Sequence, residues 1–402
     1  MSTDTALMQL EQRAARLRPA WVEIDLDAVR HNVDVARRLA GGAKVYAVCK
    51  GDGYGGGAAE VACAAVLGGA EGLAVGSPAD AVALRRQGLR CPILLYASTL
   101  PEDAAAVARL DVTVTIHDFP SLAAFAALGS RLQAFVKVDC GLGRLGFNPE
   151  DFAVAFARLA AAPGIGMAGI YAHLAVPDDR DAVTRQMQAF AAACEAAERA
   201  GFAGFERMVA SSRVMIGYPE LNLTAINPGR FILGMMEPPW AGRADCRPVV
   251  RAVKSRIIQI KDQPSGVIGY GGPERRHGPV RAAVLPIGFG DGFPHLPPCH
   301  EVLVCGQRAA VLSRRGIEHT VIDVTDIQGA RIGSEAVLLG RQGEAEISAV
   351  ELAGALNIPL LELLPRLARC APQRYIAEGD VARHLERGEG AQAPLTVRST
   401  LP

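Results

Sequence analysis

The chain of 402 residues has no surplus of either charge: 42 lysines and arginines face 42 aspartates and glutamates. A balanced chain carries no global field for nucleic acid or an anionic membrane, which leaves small-molecule chemistry as the default. Disulfide patterning is absent as well. The nine cysteines are scattered, odd in number and without a CxxC pair, so they read as mostly buried thiols of a reducing compartment. No apolar run reaches the roughly 18 residues of a membrane helix. The N-terminus carries Asp4 and soon becomes densely charged, which excludes a signal-peptide core. A cytoplasmic protein with no membrane span is expected. A metal centre is not: His295, Cys299, His300 and Cys305 lie close together, but their spacing fits no standard zinc site, and the prolines between them indicate a loop.

What is abundant is hydrophobic residue, half of the chain, enough for a large core and too much chain for one ordinary domain. From about Pro19 to Arg247, short apolar runs alternate with Ala- and Leu-rich stretches. The runs are Val45–Cys49, Gly72–Val75, Pro92–Tyr96, Val112–Ile116, Ala134–Val138 and Ile170–His173; helix-like segments include Ala58–Leu67, Ala79–Gln87 and Arg185–Ala200. Such alternation marks repeated βα units, and about 230 residues of it suit a (β/α)8 TIM barrel, with an open doubly wound sheet as the competing topology. After Arg247 the text changes to Val- and Ile-rich runs broken by Gly and Pro: Arg256–Ile260, Arg281–Leu285, Glu301–Val304, His319–Val324 and Ala336–Leu339. These predict a mostly antiparallel β domain over 248–385, with a short helix at Glu346–Leu356 and a loosely ordered polar tail over 386–402.

Lys50 ends the first apolar run and opens the glycine-rich turn Gly51-Asp52-Gly53-Tyr54-Gly55-Gly56-Gly57. An ammonium at the lip of a buried strand needs a partner, a lowered pKa, or covalent use as an imine, which makes Lys50 a candidate Schiff-base lysine for pyridoxal phosphate. The bland alternative is a strand-end lysine reaching water. Other strand ends of a barrel are where function gathers, and here they carry Lys137 and Arg144, His173, Ser211-Ser212 and the turn Asn227-Pro228-Gly229-Arg230, whose amides suit a phosphate. Each alone has a structural explanation as a hydrogen-bonded histidine, a salt-bridged arginine, a cap or a turn. Their joint occurrence shifts the balance.

Together with Gly269-Tyr270-Gly271-Gly272, Ile287-Gly-Phe289-Gly-Asp291 and Val321-Ile-Asp-Val-Thr-Asp326, these motifs resemble the alanine racemase family of pyridoxal-phosphate enzymes, from about Trp21 to Gln373. The resemblance implies a cofactor-carrying barrel over 19–247, then a β domain, in a homodimer with shared active sites. It implies that Lys50 holds the cofactor and works as one base, that Tyr270 from the partner subunit is the other, and that His173 supports Tyr270. Two bases on opposite faces are what inversion at Cα requires. By the same resemblance Arg144 faces the cofactor phenolic oxygen and the substrate carboxylate, Lys137 is a carbamylation site, and Tyr54, Ser212, Gly229 and Arg230 hold the phosphate.

Some positions depart from that family's pattern. Asn227 stands where alanine racemases usually have an arginine, and related barrel decarboxylases a glutamate, facing the pyridine nitrogen. Asparagine is neutral and can donate to an unprotonated nitrogen, which is nearer the racemase case. Phe289 replaces a tyrosine near the entrance, and Ile317-Glu318 replaces a Met-Asp pair on the substrate side. Arg369 stands near where relatives have a tyrosine close to the phosphate, and it either binds the phosphate or an acidic substrate group, or forms a surface ion pair with Glu362 or a neighbour. These changes predict a racemase for an amino acid other than, or broader than, alanine. The alternatives are a decarboxylase or other Cα-cleaving enzyme on the same barrel, and a non-catalytic cofactor carrier.

Overall fold

The computed structural model describes residues 17–264, 270, 279–295, 300–379 and 381–382, and the backbone of 395–397. The chain divides into two compact units, one built from Ala28–Arg247 and the other joining the segment that ends at Asp27 to the one that begins at Pro248.

The first strand, β1 (Ala20–Asp25), belongs to the second unit. The first unit contains β2 (Lys44–Val48), β3 (Gly72–Val75), β4 (Ile93–Leu95), β5 (Val114–Ile116), β6 (Leu132–Lys137), β7 (Ile165–Tyr171), β8 (Glu206–Ala210) and β9 (Ala225–Ile226). These eight strands are parallel and neighbour one another in chain order, and β9 returns to pair with β2. The last seam, β4 to β5, is closed by backbone bonds of 2.9 Å from Leu95 N to Thr113 O and 2.8 Å from Thr113 N to Ile93 O. No strand edge is left, so the sheet is a barrel. Short, wholly apolar strands such as Gly72–Val75 suit it because both faces are buried. Two glycines make room for the aromatic filling. A Cβ on Gly72 would lie 2.5 Å from the Tyr46 ring, and one on Gly169 2.3 Å from that of Phe135. Those rings meet edge to face at 5.7 Å inside the barrel, with Tyr171, Met208 and Leu94 in the same cluster.

Helix positions follow their caps. The expected helix at 79–87 runs Pro78–Arg86 because Ser77 accepts the Asp80 N–H and proline occupies the first turn. The expected helix at 185–200 begins earlier, at Arg180, where Asp179 accepts the amides of Asp181 and Ala182.

The second unit carries β10 (Val250–Arg256), β11 (Gln259–Gln263), β12 (Val280–Leu285), β13 (Glu301–Val304), β14 (Gln307–Ala310), β15 (Thr320–Asp323), β16 (Glu335–Gln342), β17 (Ala345–Ile347), β18 (Gln373–Ala377) and β19 (Leu395–Val397). One sheet runs β14-β13-β16-β10-β1-β18-β19 with β17 on β16, and the other β11-β12-β15. Most pairings are antiparallel; β1–β18 and β18–β19 are parallel. Three expectations are corrected. Residues 20–25 do not start the barrel, because β10 and β18 take both edges of β1. The helix expected over 346–356 is strand β17 followed by a helix at Ala349–Leu356, with Ser348 as N-cap. Within the expected loose tail, 395–397 is a strand on β18; most of the rest of 386–402 lies outside the described residues. No helix among the described residues is long and apolar enough to cross a membrane.

Candidate active site

Lys50 sits two residues beyond the end of β2, and the backbone after it is unusual. Gly51, Asp52, Gly53, Tyr54 and Gly55 all have positive φ, between 53° and 88°. Glycine accepts that region freely, whereas Asp52 and Tyr54 adopt it against a steric cost of about 1 kcal/mol each. The turn is held by bonds from Gly53 N to Cys49 O and from Gly55 N to Gly51 O, and Asp52 Oδ1 accepts from Ala58 N at 2.9 Å, tying it to the next helix. Strain kept this way points to a functional site. Lys50 is open to solvent at the barrel mouth. The surrounding protein still strips part of its hydration, and with Arg144 and Arg230 this holds the ammonium below the usual lysine range.

The turn after β6 is built differently. Asp139 Oδ1 accepts the amides of Gly141 and Leu142, each at 2.8 Å, and its Oδ2 accepts that of Arg144 at 2.9 Å. Burial pushes this carboxyl up, but amide donation from Gly141, Gly143, Arg144 and Leu142 outweighs it, so its pKa is lowered. Lys137, 4% exposed, donates to Val138 O at 2.9 Å and lies 5.1 Å from the centre of the Tyr171 ring. Burial lowers it to about 8; Cys140 and Asp139 oppose the shift, and Arg144 adds to it.

His173, past the end of β7, is lowered to about 4 by burial and then by Arg144, Lys137, Lys50 and Arg230. Four cationic side chains from three strand ends, those of β2, β6 and β9, therefore act on one imidazole, which brings the barrel-side candidates into one electrostatic neighbourhood. At the start of the helix Ser212–Gly217, Ser212 Oγ accepts from Gly229 N at 3.1 Å and from Phe231 N at 3.0 Å. Gly229 has no room for a side chain, since its Cβ would fall 2.6 Å from the Tyr54 hydroxyl. Arg230 faces Glu237 at 3.7 Å. Asn227, 7% exposed, donates from Nδ2 to the Tyr96 hydroxyl at 3.2 Å, while its Oδ1 is buried without a hydrogen-bond partner.

In the other unit, Tyr270 is 71% exposed and its backbone bridges Arg314; Gly269, Gly271 and Gly272 lie outside the described residues. Ile317 is 62% exposed, Phe289 packs edge-on against the His295 ring at 5.0 Å, and Glu318 is exposed. The Phe289 and Gly290 amides donate to the Gly316 and Ile317 carbonyls, holding the two segments together. Arg369 is exposed beyond the helix Leu360–Leu367, and Glu362 pairs with Arg366 at 3.3 Å. His300 is buried against Arg315, and His295 Nδ1 meets the Arg315 carbonyl at 2.7 Å; Cys299 lies outside the described residues. Two neighbours of the barrel site escaped the sequence reading. The turn-forming role of Asp139 was signalled by Asp-Cys-Gly-Leu-Gly, whereas Tyr96 looked like an ordinary end to an apolar run.

A closed parallel barrel with a lysine and two arginines at its strand ends, followed by a β domain, defines a class of enzyme that works on small anionic substrates or cofactors. The N-terminal domain of alanine racemase matches residues 24–237 and the C-terminal domain residues 250–375. Alanine racemase of Xanthomonas oryzae pv. oryzae is 36% identical over 374 residues, covering 91% of this chain and 98% of that protein. That of Symbiobacterium thermophilum is 33% identical over 372 residues, covering 90% and 98%. The crystal structure of alanine racemase from D-cycloserine-producing Streptomyces lavendulae superposes with a TM-score of 0.83 at 28% identity, covering 91% of this chain and 99% of that one. The chain belongs to the alanine racemase family and is an amino-acid racemase.

Proposed function

We propose that the protein racemises a small amino acid with pyridoxal phosphate, using Lys50 and Tyr270 as bases on opposite faces of Cα. The observation that carries this is the lysine held below its usual range at a barrel mouth beside Arg144 and Arg230. The residues fit the cofactor. The Ser212 hydroxyl already accepts two amides, so its own proton is available to a phosphate oxygen, and Gly229 leaves the Tyr54 hydroxyl room at the same place. Tyr54, Ser212, Gly229 and Arg230 would hold the phosphate, and Asn227 with its unpaired Oδ1 would meet the ring nitrogen. Bound there, the cofactor supplies the electron sink that acidifies the Cα–H bond.

Lys50 takes or returns the α-proton on one face, and its lowered pKa leaves more free amine near neutral pH. Arg144 binds the substrate carboxylate. His173, neutral above about pH 4, accepts a hydrogen bond from the phenol of Tyr270 of the partner subunit, which serves the other face. Lys137, lowered to about 8, is nucleophilic enough for carbamylation, and the resulting anion would orient Arg144. Exposure of Tyr270 and Ile317 supports a homodimer in which this face is covered, and the free cysteines suit a cytoplasmic location. Phe289, Ile317, Glu318 and Arg369 are the candidates for setting substrate range.

The expected preference for a substrate other than alanine gains no support from the relatives, which are named alanine racemases; alanine therefore belongs in the proposed range. Those names do not favour a decarboxylase or a non-catalytic carrier. The test is incubation of the cofactor-loaded protein with L- and D-amino acids in D2O, read by chiral mass spectrometry. Deuterium gain with inversion, alanine included, is expected. Exchange without inversion sinks Tyr270 as second base, and carbon dioxide release without racemisation sinks the whole reading.

A further inference from the structure

Tyr270 is 71% exposed, so burial does little to hold its ring. Its backbone forms an antiparallel bridge with Arg314. In an antiparallel pair the diagonal neighbour two residues on shares the same face, and here that neighbour is Gly316. A Cβ on Gly316 would lie 3.3 Å from Cε2 of the Tyr270 ring, the atom next to the carbon that bears the hydroxyl. Its other neighbours, His319 O at 3.4 Å and His319 N at 3.8 Å, stand at ordinary contact distances. Gly316 does not have a positive φ, so its backbone conformation does not call for glycine. What the missing side chain provides is room for the ring. The main chain beneath is fixed: Gly316 N donates to His319 O at 2.8 Å, its carbonyl accepts from Phe289 N at 3.0 Å, and Ile317 O accepts from Gly290 N at 2.8 Å. Arg315, 0% exposed, anchors the same segment from below through Pro294 O and the His300 ring.

We propose that Gly316 is a positioning residue for the second base: the Tyr270 ring rests on its bare main chain, and the closeness of that approach sets where the phenol oxygen meets Cα of the substrate. The inference rests on the proposed Lys50 and Tyr270 pair and deepens it. A methyl group 3.3 Å from a ring carbon is a few tenths of an ångström too close. The ring is the part that yields, because most of its surface is open on this chain whereas the Gly316 N–H and carbonyl are both bonded. It lifts off the segment and carries the phenol oxygen with it. Lys50 belongs to the other compact unit and keeps its place. Proton transfer needs the base within hydrogen-bond reach of the reacting atom, so the displacement weakens one face of the reaction and leaves the other as it was.

The experiment compares the cofactor-loaded native protein with Gly316→Ala, Gly316→Val and Tyr270→Phe, each given L- or D-alanine in D2O. Two rates are followed by chiral mass spectrometry, inversion and α-deuterium uptake without inversion. One enantiomer presents its α-hydrogen to Lys50, and its uptake without inversion reports that face by itself. In Gly316→Ala inversion is expected to fall roughly five- to tenfold, less than the 10²-fold that a 1 Å misplacement can cost, and in Gly316→Val it falls further. Uptake at the Lys50 face, cofactor absorbance and melting temperature keep their native values. A merely structural role for Gly316 would lower both rates together along with the melting temperature, and that result overturns the proposal. Native inversion in Gly316→Val overturns it too, while loss of inversion in Tyr270→Phe leaves the second base standing. Native inversion in Tyr270→Phe overturns the second-base reading, and this inference with it.

Discussion

The turn that follows Lys50 and the turn that carries Arg144 do the same job by opposite means. Each leaves a barrel strand and sets a cation at the mouth. The first relies on the backbone itself, with five successive left-handed residues, two of them not glycine. The second relies on a side chain, Asp139, whose two oxygens gather three amides within 2.9 Å. A rigid backbone suits a lysine that must be held for covalent use, while a carboxylate-centred turn leaves the long Arg144 side chain free to follow a ligand. The difference predicts where each turn is vulnerable.

The largest effect is chemical. Lys50→Ala should reduce racemisation on the order of 10⁴-fold, at the upper end for a lost acid–base group, with little change in melting temperature. Loss of activity together with a large drop in melting temperature would show that the lysine mainly supports the turn. Arg144→Lys keeps charge but loses the planar fork. Its expected signature is a raised KM for the amino acid with the thermal midpoint unchanged.

Lys137 stands beneath the second turn and tests how much that region resists charge. Its folded pKa, lowered from 10.5 to about 8, means that the unfolded chain binds more protons between those values, so stability from this group rises with pH across that window and is lowest below about pH 8. Lys137→Met should remove the slope and raise stability at neutral pH by on the order of 3 kcal/mol, less the lost bond to Val138 O. Denaturant melts from pH 7 to 10.5 in CO2-free buffer measure it. Equal slopes in the two proteins would mean that the lysine is not buried as an ammonium. Added bicarbonate sharpens the test, because carbamylation should stabilise only the native chain.

Much of this was legible in the sequence. Gly72–Val75 and Glu301–Val304 are strands with the expected limits, because short apolar runs bounded by turn residues have one good solution. Lys50, Arg144 and His173 announced themselves as polar groups at the ends of such runs. What escaped depended on long-range pairing. Nothing in Ala20–Asp25 says that its partners are β10 and β18, more than 200 residues away. Tyr96 could not be linked to Asn227 from spacing, since barrel closure alone brings them together.

Asp139→Asn should cost on the order of 1–2 kcal/mol, since the amide retains one acceptor oxygen for amides that now share two. The carboxyl's folded pKa is lowered, so its contribution is present above the unfolded value near 4 and is lost as pH falls through the folded one. The native protein should therefore lose more stability than Asp139→Asn on acidification. Parallel acid titrations of the two would contradict the carboxylate-centred turn.

The smallest effects separate strain from clash in the first turn. A Cβ on Gly51 meets nothing within 4 Å, so Gly51→Ala isolates the left-handed penalty and should cost about 1 kcal/mol. At Gly53 the same change adds contacts with Val61 at 3.1 Å and 3.3 Å, and the cost should be larger. Asp52→Gly works the other way: it relieves the strain of φ 58° but removes the oxygen that accepts the Ala58 amide. Those terms are each about 1 kcal/mol and opposite in sign, so a change within about 0.5 kcal/mol is expected. A clear stabilisation in Asp52→Gly would mean that the aspartate is kept at this position for the site rather than for the fold, and a clear loss would mean that the cap to the following helix is what maintains the left-handed run.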